Sequence, residues 1–237
     1  MNTNRITIAI DGFSSTGKST VAKQLAKYLE YVYVDSGAMY RAVAFYALDK
    51  GFINDDFFNI EGLISQLDSI KISFNFNEDA GFAEVYLNGI NIEKEIRTLR
   101  VSGFVSKVAE ISEVRSLLVK QQQLMGANKG VVMDGRDIGT VVFTDAELKL
   151  FMTASSETRA IRRYNELLER GDNVQYEDVL HNVEERDYID THREDSPLIM
   201  AEDAIEIDNS TLTIEEQFDV ILDLVNKALK KEKSSRK

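Results

Sequence analysis

Apolar and polar positions change their spacing several times along the chain, and each change marks an element. Ile6 to Asp11 is a short run rich in β-branched residues, which predicts a buried strand. A stretch of Gly, Ser and Thr follows. Val21, Ala22, Leu25, Ala26 and Leu29 then recur at helical spacing, so Ser19 to Leu29 is expected to be a helix. Tyr31 to Val34 predicts a second strand and Ala38 to Leu48 a helix with a wide apolar face. From Ile70 the period falls to two: Ile72, Phe74 and Phe76, then Val85 and Leu87, then Ile90 and Ile92 alternate with polar residues. Asn88-Gly89 between the last two runs is a hairpin signal, so this part is expected to be a small, half-exposed antiparallel meander. Helical spacing returns from Val101 to Leu124. Strands are expected at Val131 to Met133, Leu148 to Met152 and Ala204 to Ile207. Helices are expected at Thr158 to Arg170, Tyr176 to Asp190 and Thr213 to Leu229, the last opened by a capping box of Thr213 and Glu216.

Strands alternating with helices give an α/β sandwich around a mainly parallel sheet. The antiparallel meander sits between helical segments and reads as an insertion. The basic, polar tail, residues 230–237, is expected to be frayed and disordered.

Composition narrows the chemistry. The chain has 237 residues and no cysteine, which excludes a disulfide framework, a thiolate nucleophile and a Cys-ligated zinc site. Its 2 histidines, His181 and His192, lack metal-ligand spacing and read as solvated. No run approaches the ~18 apolar residues of a membrane span. The start lacks a basic segment and a cleavage site, so a cytoplasmic location is expected, with no membrane partner. The formal net charge of -12 disfavours nonspecific nucleic-acid binding. An anionic ligand must therefore be drawn in by local Arg and Lys.

Gly12-Phe13-Ser14-Ser15-Thr16-Gly17-Lys18-Ser19 fits G-x-x-x-x-G-K-[ST] and stands between a predicted strand and a predicted helix. Glycines let the backbone curl with its N–H groups inward around a phosphate. The following helix turns its positive end to the same anion. Lys18 adds a charge between the β- and γ-phosphates, and Ser19 is placed to ligand Mg2+ or one of its waters. Residues 12–20, Thr20 included, are thus the expected ATP-binding loop. The guanine-reading N-K-x-D string is absent: Asn128-Lys129-Gly130-Val131 and Asn226-Lys227-Ala228-Leu229 lack the Asp.

Two further clusters follow predicted strands. In Asp35-Ser36-Gly37-Ala38-Met39-Tyr40-Arg41, a hydroxyl and an Arg open a helix, a pattern suited to a second anion. Asp134-Gly135-Arg136-Asp137-Ile138-Gly139-Thr140 follows a buried strand, where ligands of open α/β sheets gather.

Together, the phosphate loop, DSGAMYR, EIRT, DGRDIGTVVF and the ERD…R string resemble the bacterial cytidylate kinase family, from Ile6 to about Leu229. The resemblance implies a nucleoside-monophosphate-kinase fold of the long bacterial type. It has a five-stranded parallel sheet flanked by helices, a small β insertion and a short Arg-rich lid. The core is expected at 1–62 and 96–229, the insertion at 63–95 near the monophosphate, and the lid at about 155–172. The resemblance further implies ATP-dependent phosphorylation of CMP and dCMP by a monomer, with Mg2+ accompanying ATP. Ser36 and Arg41 resemble residues at the acceptor phosphate. Arg136 and Asp137 resemble the pair near phosphate and cytosine, and Ser106 and Arg115 the other cytosine-edge contacts. Arg186, Asp190 and Arg193 resemble the sugar and phosphate residues. Lys18, Arg136, Arg159 and Arg163 are the expected catalytic cations, although Arg159, Arg162, Arg163 and Arg170 also fit a solvated basic face paired with glutamates. A carboxylate can accept from the cytosine N4 amine while Ser and Arg donors serve N3 and O2. Uracil presents an acceptor at that edge, which a fixed Asp disfavours.

Two departures from the family stand out. Ser19 occupies a position where many members carry Gly, and Thr191 and His192 lie in a stretch often richer in Arg. A different P-loop small-molecule kinase and a nonenzymatic nucleotide switch are the alternative readings of the residues alone.

Overall fold

The structure is a computed structural model and describes residues 5–78 and 82–235. A parallel sheet forms the centre: β1 (Thr7–Gly12), β2 (Val32–Asp35), β6 (Val131–Gly135), β7 (Leu148–Thr153) and β8 (Ile205–Asp208), in the order β2-β6-β1-β7-β8. Alternation along these strands feeds two apolar layers. Ile8 and Ile10, with Val132, Leu148 and Leu150, pack against α1 (Lys18–Leu29) and α8 (Ile214–Ser235). Ala9, Val34, Val131 and Met133 face the other way, onto Val142, Phe143 and Val119. Covered on both faces, β1, β6 and β7 need no polar side, which is why their sequences read as near-continuous apolar runs, whereas the edge strands β2 and β8 are partly exposed.

A third apolar cluster lies beside the sheet. It joins α2 (Ser36–Asp49) to α4 (Leu99–Ala109), to α5 (Ser112–Gly126) and to the short helix α3 (Ile60–Ile64). The antiparallel sheet of β3 (Ile72–Asn77), β4 (Phe82–Leu87) and β5 (Ile90–Asn91) contributes Val85 and Leu87 to this cluster. Its other face stays half-exposed, as the period of two requires. Asn88 (φ 50°) and Gly89 (φ 83°) form the turn between β4 and β5. Two successive positive φ angles are what a two-residue hairpin turn needs to match strand twist. α6 (Ser156–Glu169) and α7 (Tyr176–His192) pack against each other beyond β7.

Two expectations change. The helical segment from Val101 divides at Glu110 and Ile111, because Glu110 ends α4 and Ile111 turns extended (ψ 115°) to start α5. The tail expected to be frayed continues α8 as far as Ser235. Lys and Glu are good helix formers, Ser234 Oγ donates to the Lys230 carbonyl at 3.0 Å, and Glu232 lies 3.6 Å from Lys129. Residues 236 and 237 lie outside the described residues. The capping box is present: Thr213 N–H donates to Glu216 Oε2 at 2.9 Å and Glu216 N–H to Thr213 Oγ1 at 3.1 Å.

The strand order has a functional consequence. β1, β6 and β2 are adjacent, so the phosphate loop after β1, the Asp134–Thr140 loop at the end of β6 and the Ser36 helix after β2 share one rim. Segments about a hundred residues apart in sequence meet there, at the switch point of an open α/β sheet.

Candidate active site

Gly12 leaves the sheet with φ 138°, and a Cβ there would stand 2.0 Å from the Met152 carbonyl oxygen. Only glycine fits between β1 and β7 at the start of the loop. The loop returns through Ser15 and Gly17, both with positive φ, into the first turn of α1. Lys18 is buried, and its Nζ donates to the Phe13 carbonyl and, at 3.3 Å, to Thr16 Oγ1. Burial, and then the charge of Arg136, bring its pKa down to about 7, against the pull of Asp134 and Asp11.

Asp11, missed by sequence reasoning, lies under this loop. Its carboxylate accepts from the Ile138 and Gly139 N–H groups at 2.7 Å each. That fixes the one-turn π helix Ile138–Val142, and with it Asp137, to the strand carrying the phosphate loop. Burial outweighs these donors and lifts the Asp11 pKa to about 7.

Asp134 ends β6 beside β1, with Ser19 Oγ donating to its Oδ2 at 2.8 Å and Tyr33 OH to its Oδ1 at 2.9 Å. Burial, and then the like charge of Asp35, raise its pKa to about 6. A buried carboxylate with its charge undercompensated, touching a loop hydroxyl, is a donor set that fits a hard divalent cation. The sequence offered a signal in the Asp that closes a buried strand.

Arg186 is buried and Arg41 half-buried, and among the described residues neither forms an ion pair. Arg41 reaches only the Ile96 carbonyl, at 3.5 Å, and Arg186 the Ser102 hydroxyl, at 3.1 Å, while Arg186 Nε has no hydrogen-bond partner. Burial, followed by the charges of Arg186 and Arg163, holds Arg41 well below the usual arginine pKa. Burial, followed by Arg136, lowers Arg186 to about 10. The positive charges form a chain: Lys18 feels Arg136 and Arg186, and Arg186 feels Arg136 and Arg163. Guanidinium groups with this little compensation mark an anion-binding site. Ser36 joins it from the start of α2, its hydroxyl donating to the Asp134 carbonyl at 2.6 Å.

Asp190 gathers the neighbouring polar groups. It accepts from Ser106 Oγ at 2.9 Å and from Arg136 Nε at 2.7 Å. Burial pushes its pKa up, but Arg136, Arg186 and Arg193 outweigh burial and hold it below the usual range. Arg115 Nη2 is paired with Asp137 Oδ2, and Arg115 Nη1 is buried without a hydrogen-bond partner. Arg193 donates twice to the Ser196 carbonyl, at 2.9 and 2.6 Å.

The lid arginines divide. Arg163 Nη2 and Arg170 Nη1 both donate to the Arg97 carbonyl, at 2.7 and 3.2 Å. The Arg97 side chain meanwhile pairs with Asp35 and Glu93, each at 2.9 Å. Arg162 instead binds Asn209, whose Nδ2 donates to the Thr16 carbonyl at 2.6 Å. Nothing in the local sequence around Asn209 signalled this link. Arg159 lies behind the phosphate loop, donating to the Ser14 carbonyl at 3.3 Å. Arg163 and Arg170 also pair with Glu166, one of the glutamate partners of the solvated-face alternative, while Arg159 and Arg162 turn to contacts of their own.

The chain matches the cytidylate kinase family over residues 8–227. It is 72% identical over 226 residues to the cytidylate kinase of Flavobacterium johnsoniae, covering 95% of this chain and 98% of that one. Identity is 67% to the cytidylate kinase of Flavobacterium psychrophilum (94% and 98% covered). It is 52% to that of Bacteroides thetaiotaomicron (95% and 99% covered). A phosphate loop, a second buried cation cluster and near-complete coverage agree: the chain belongs to the cytidylate kinase family.

Proposed function

We propose that the protein transfers the γ-phosphoryl group of ATP to CMP and dCMP, giving ADP with CDP or dCDP. The observation that carries this reading is the line of cations from buried Lys18 through half-buried Arg136 and buried Arg186 to half-buried Arg41. One anion at the phosphate loop would not need Arg41 or Arg186. Two phosphates facing each other would.

Residues 12–20 hold the triphosphate. Ser36, Arg41 and Arg186 take the acceptor phosphate, and Arg136 stands between the two. An acceptor phosphate oxygen forms a bond to the γ-phosphorus while the bond to the β–γ bridging oxygen breaks. That oxygen is already ionised at neutral pH, so no general base is required. Lys18, Arg136 and Arg163 neutralise the charge that spreads over the transferring group, and positioning supplies most of the rest. Ser19 and Asp134 would hold the Mg2+ that accompanies ATP, and the ion would supply positive charge to the phosphates. We read β3–β5 as the insertion beside the acceptor, and residues 155–172, which hold α6 with Arg163 and its C-cap Arg170, as the lid. Closure would release those two arginines from the Arg97 carbonyl and exclude water.

Base choice is assigned to the Asp137–Arg115 pair. Asp137 accepts from the cytosine N4 amine, and the free donors of Arg115 face the ring acceptors. A coupled assay with ATP and each of CMP, dCMP, UMP and AMP tests the reading, with turnover expected for the cytosine pair first. In Asp137→Ala the kcat/KM ratio of CMP to UMP should fall about 10- to 100-fold. An unchanged ratio would remove Asp137 from base recognition.

A further inference from the structure

Arg159 is buried at 4% exposure, and its guanidinium donates to groups of the protein itself. Nε donates to the Ala154 carbonyl at 2.9 Å. Nη1 donates to the Ser14 carbonyl at 3.3 Å and to Asp187 Oδ1 at 3.0 Å, and Nη2 to Asp187 Oδ2 at 2.6 Å. The guanidinium also lies over the Phe13 ring, 5.2 Å from its centroid, and Phe13 in turn meets Phe151 edge-on at 6.0 Å. One side chain therefore touches the end of β7, two residues of the phosphate loop and α7.

Asp187 is the α7 end of this contact. Its sequence neighbour Arg186 and, a turn further on, Asp190 point to the acceptor side, where Arg186 meets Ser102 and Asp190 meets Ser106 and Arg136. A bidentate Arg–carboxylate pair fixes both distance and plane, unlike a single contact between charges.

We propose that Asp187 is a positioning residue for phosphoryl transfer, holding Arg159 as a strut that keeps the phosphate loop in register with the helix that carries the acceptor contacts. The proposal rests on the phosphoryl-transfer reading above. In-line attack requires the two phosphates to be aligned closely, and a misplacement of about 1 Å costs on the order of 100-fold in rate. Loss of the strut should therefore appear in kcat, with each nucleotide still bound.

The test is a double-mutant cycle on the full chain with Asp187→Ala, Arg159→Met and the double variant, with Asp187→Asn as the near-isosteric variant. Steady-state turnover of ATP and CMP is measured together with CMP affinity by calorimetry and Tm by differential scanning calorimetry. Each single variant should lose about 10- to 100-fold in kcat, with CMP affinity within about 3-fold of wild type. The double variant should be no worse than the poorer single variant, since both remove one strut. Arg159→Lys keeps the charge and loses the bidentate plane, so it should not restore kcat. Wild-type kcat in Asp187→Asn and Asp187→Ala would overturn the proposal, as would losses that multiply in the double variant or a Tm drop with kcat intact. A wild-type enzyme inactive on CMP would overturn the underlying reading as well, which separates the two failures.

Discussion

Arg41 shows how function and stability oppose each other at one residue. It is half-buried, among the described residues it forms no ion pair, and its pKa is depressed by desolvation and by the charges of Arg186 and Arg163. A desolvated charge without a partner destabilises the ligand-free fold, and the proposed acceptor anion would supply that partner. Arg41→Met should raise the stability of the ligand-free protein by about 0.5–2 kcal/mol. The same change should raise the KM for CMP by at least about 10-fold, because a charge-assisted contact is lost. Thermal melts with and without CMP, beside initial rates, check both halves; a lower Tm without ligand would defeat the stability argument. At this scale the phosphate loop and the strings holding Ser36, Arg41, Arg136 and Asp137 stood out in the sequence, and the strand order brings them to one rim. Asp11, Asp187 and Asn209 were not legible, because each acts on a partner far away in sequence: Ile138, Arg159 and Thr16. An aspartate closing a strand looks the same whether it faces water or two buried N–H groups.

At the scale of elements, the spacing of apolar residues gave nearly every strand and helix of the sheet layer, since burial on both faces leaves a plain signal. The break between α4 and α5 was hidden. Both helices present apolar residues to the same cluster, so the helical period passes through Glu110 and Ile111 almost without a shift. The one-turn π helix at Ile138–Val142 was hidden too, because its shape depends on the Asp11 carboxylate. The hairpin turn was legible and makes an element-level prediction. A Cβ at Gly89 would meet nothing within 4 Å, so only its φ of 83° opposes substitution. Gly89→Ala should cost about 1–2 kcal/mol, lowering Tm by roughly 2–8 °C for a chain of this size. Calorimetric Tm values decide it; a loss well beyond that range would mean a steric cause absent from this turn.

Across the whole molecule, acidic residues outnumber basic ones, 40 to 28. The chain carries a net charge of -12, yet its cleft holds a line of cations, and low-dielectric walls concentrate that local field. Buried carboxylates beneath the cleft then bear on global stability. Burial lifts the folded-state pKa of Asp11 to about 7, from the 3.8 ordinary for an aspartate, so between those values the folded protein binds more protons than the unfolded chain. Stability from Asp11 is therefore fully present below the unfolded pKa and is lost as pH rises through about 7, with a slope of at most about 1.4 kcal/mol per pH unit. Asparagine does not titrate there. The stability difference between wild type and Asp11→Asn should thus shift against wild type from pH 5 to pH 7.5 in chemical denaturation. A difference that stays constant, or shifts toward wild type, would contradict the sign.

The contact at Arg97 bears on inheritance. Its side chain ties Asp35 to Glu93, while its backbone carbonyl receives the two lid arginines. Those two duties are written in different codes. The side-chain duty requires an arginine and leaves a visible trace in the gene. The carbonyl duty can be met by any amino acid, so selection can maintain the contact with Arg163 and Arg170 without constraining the codon. Along a lineage, position 97 can change its letter and still receive those two arginines, and a comparison of letters alone would record only the first duty.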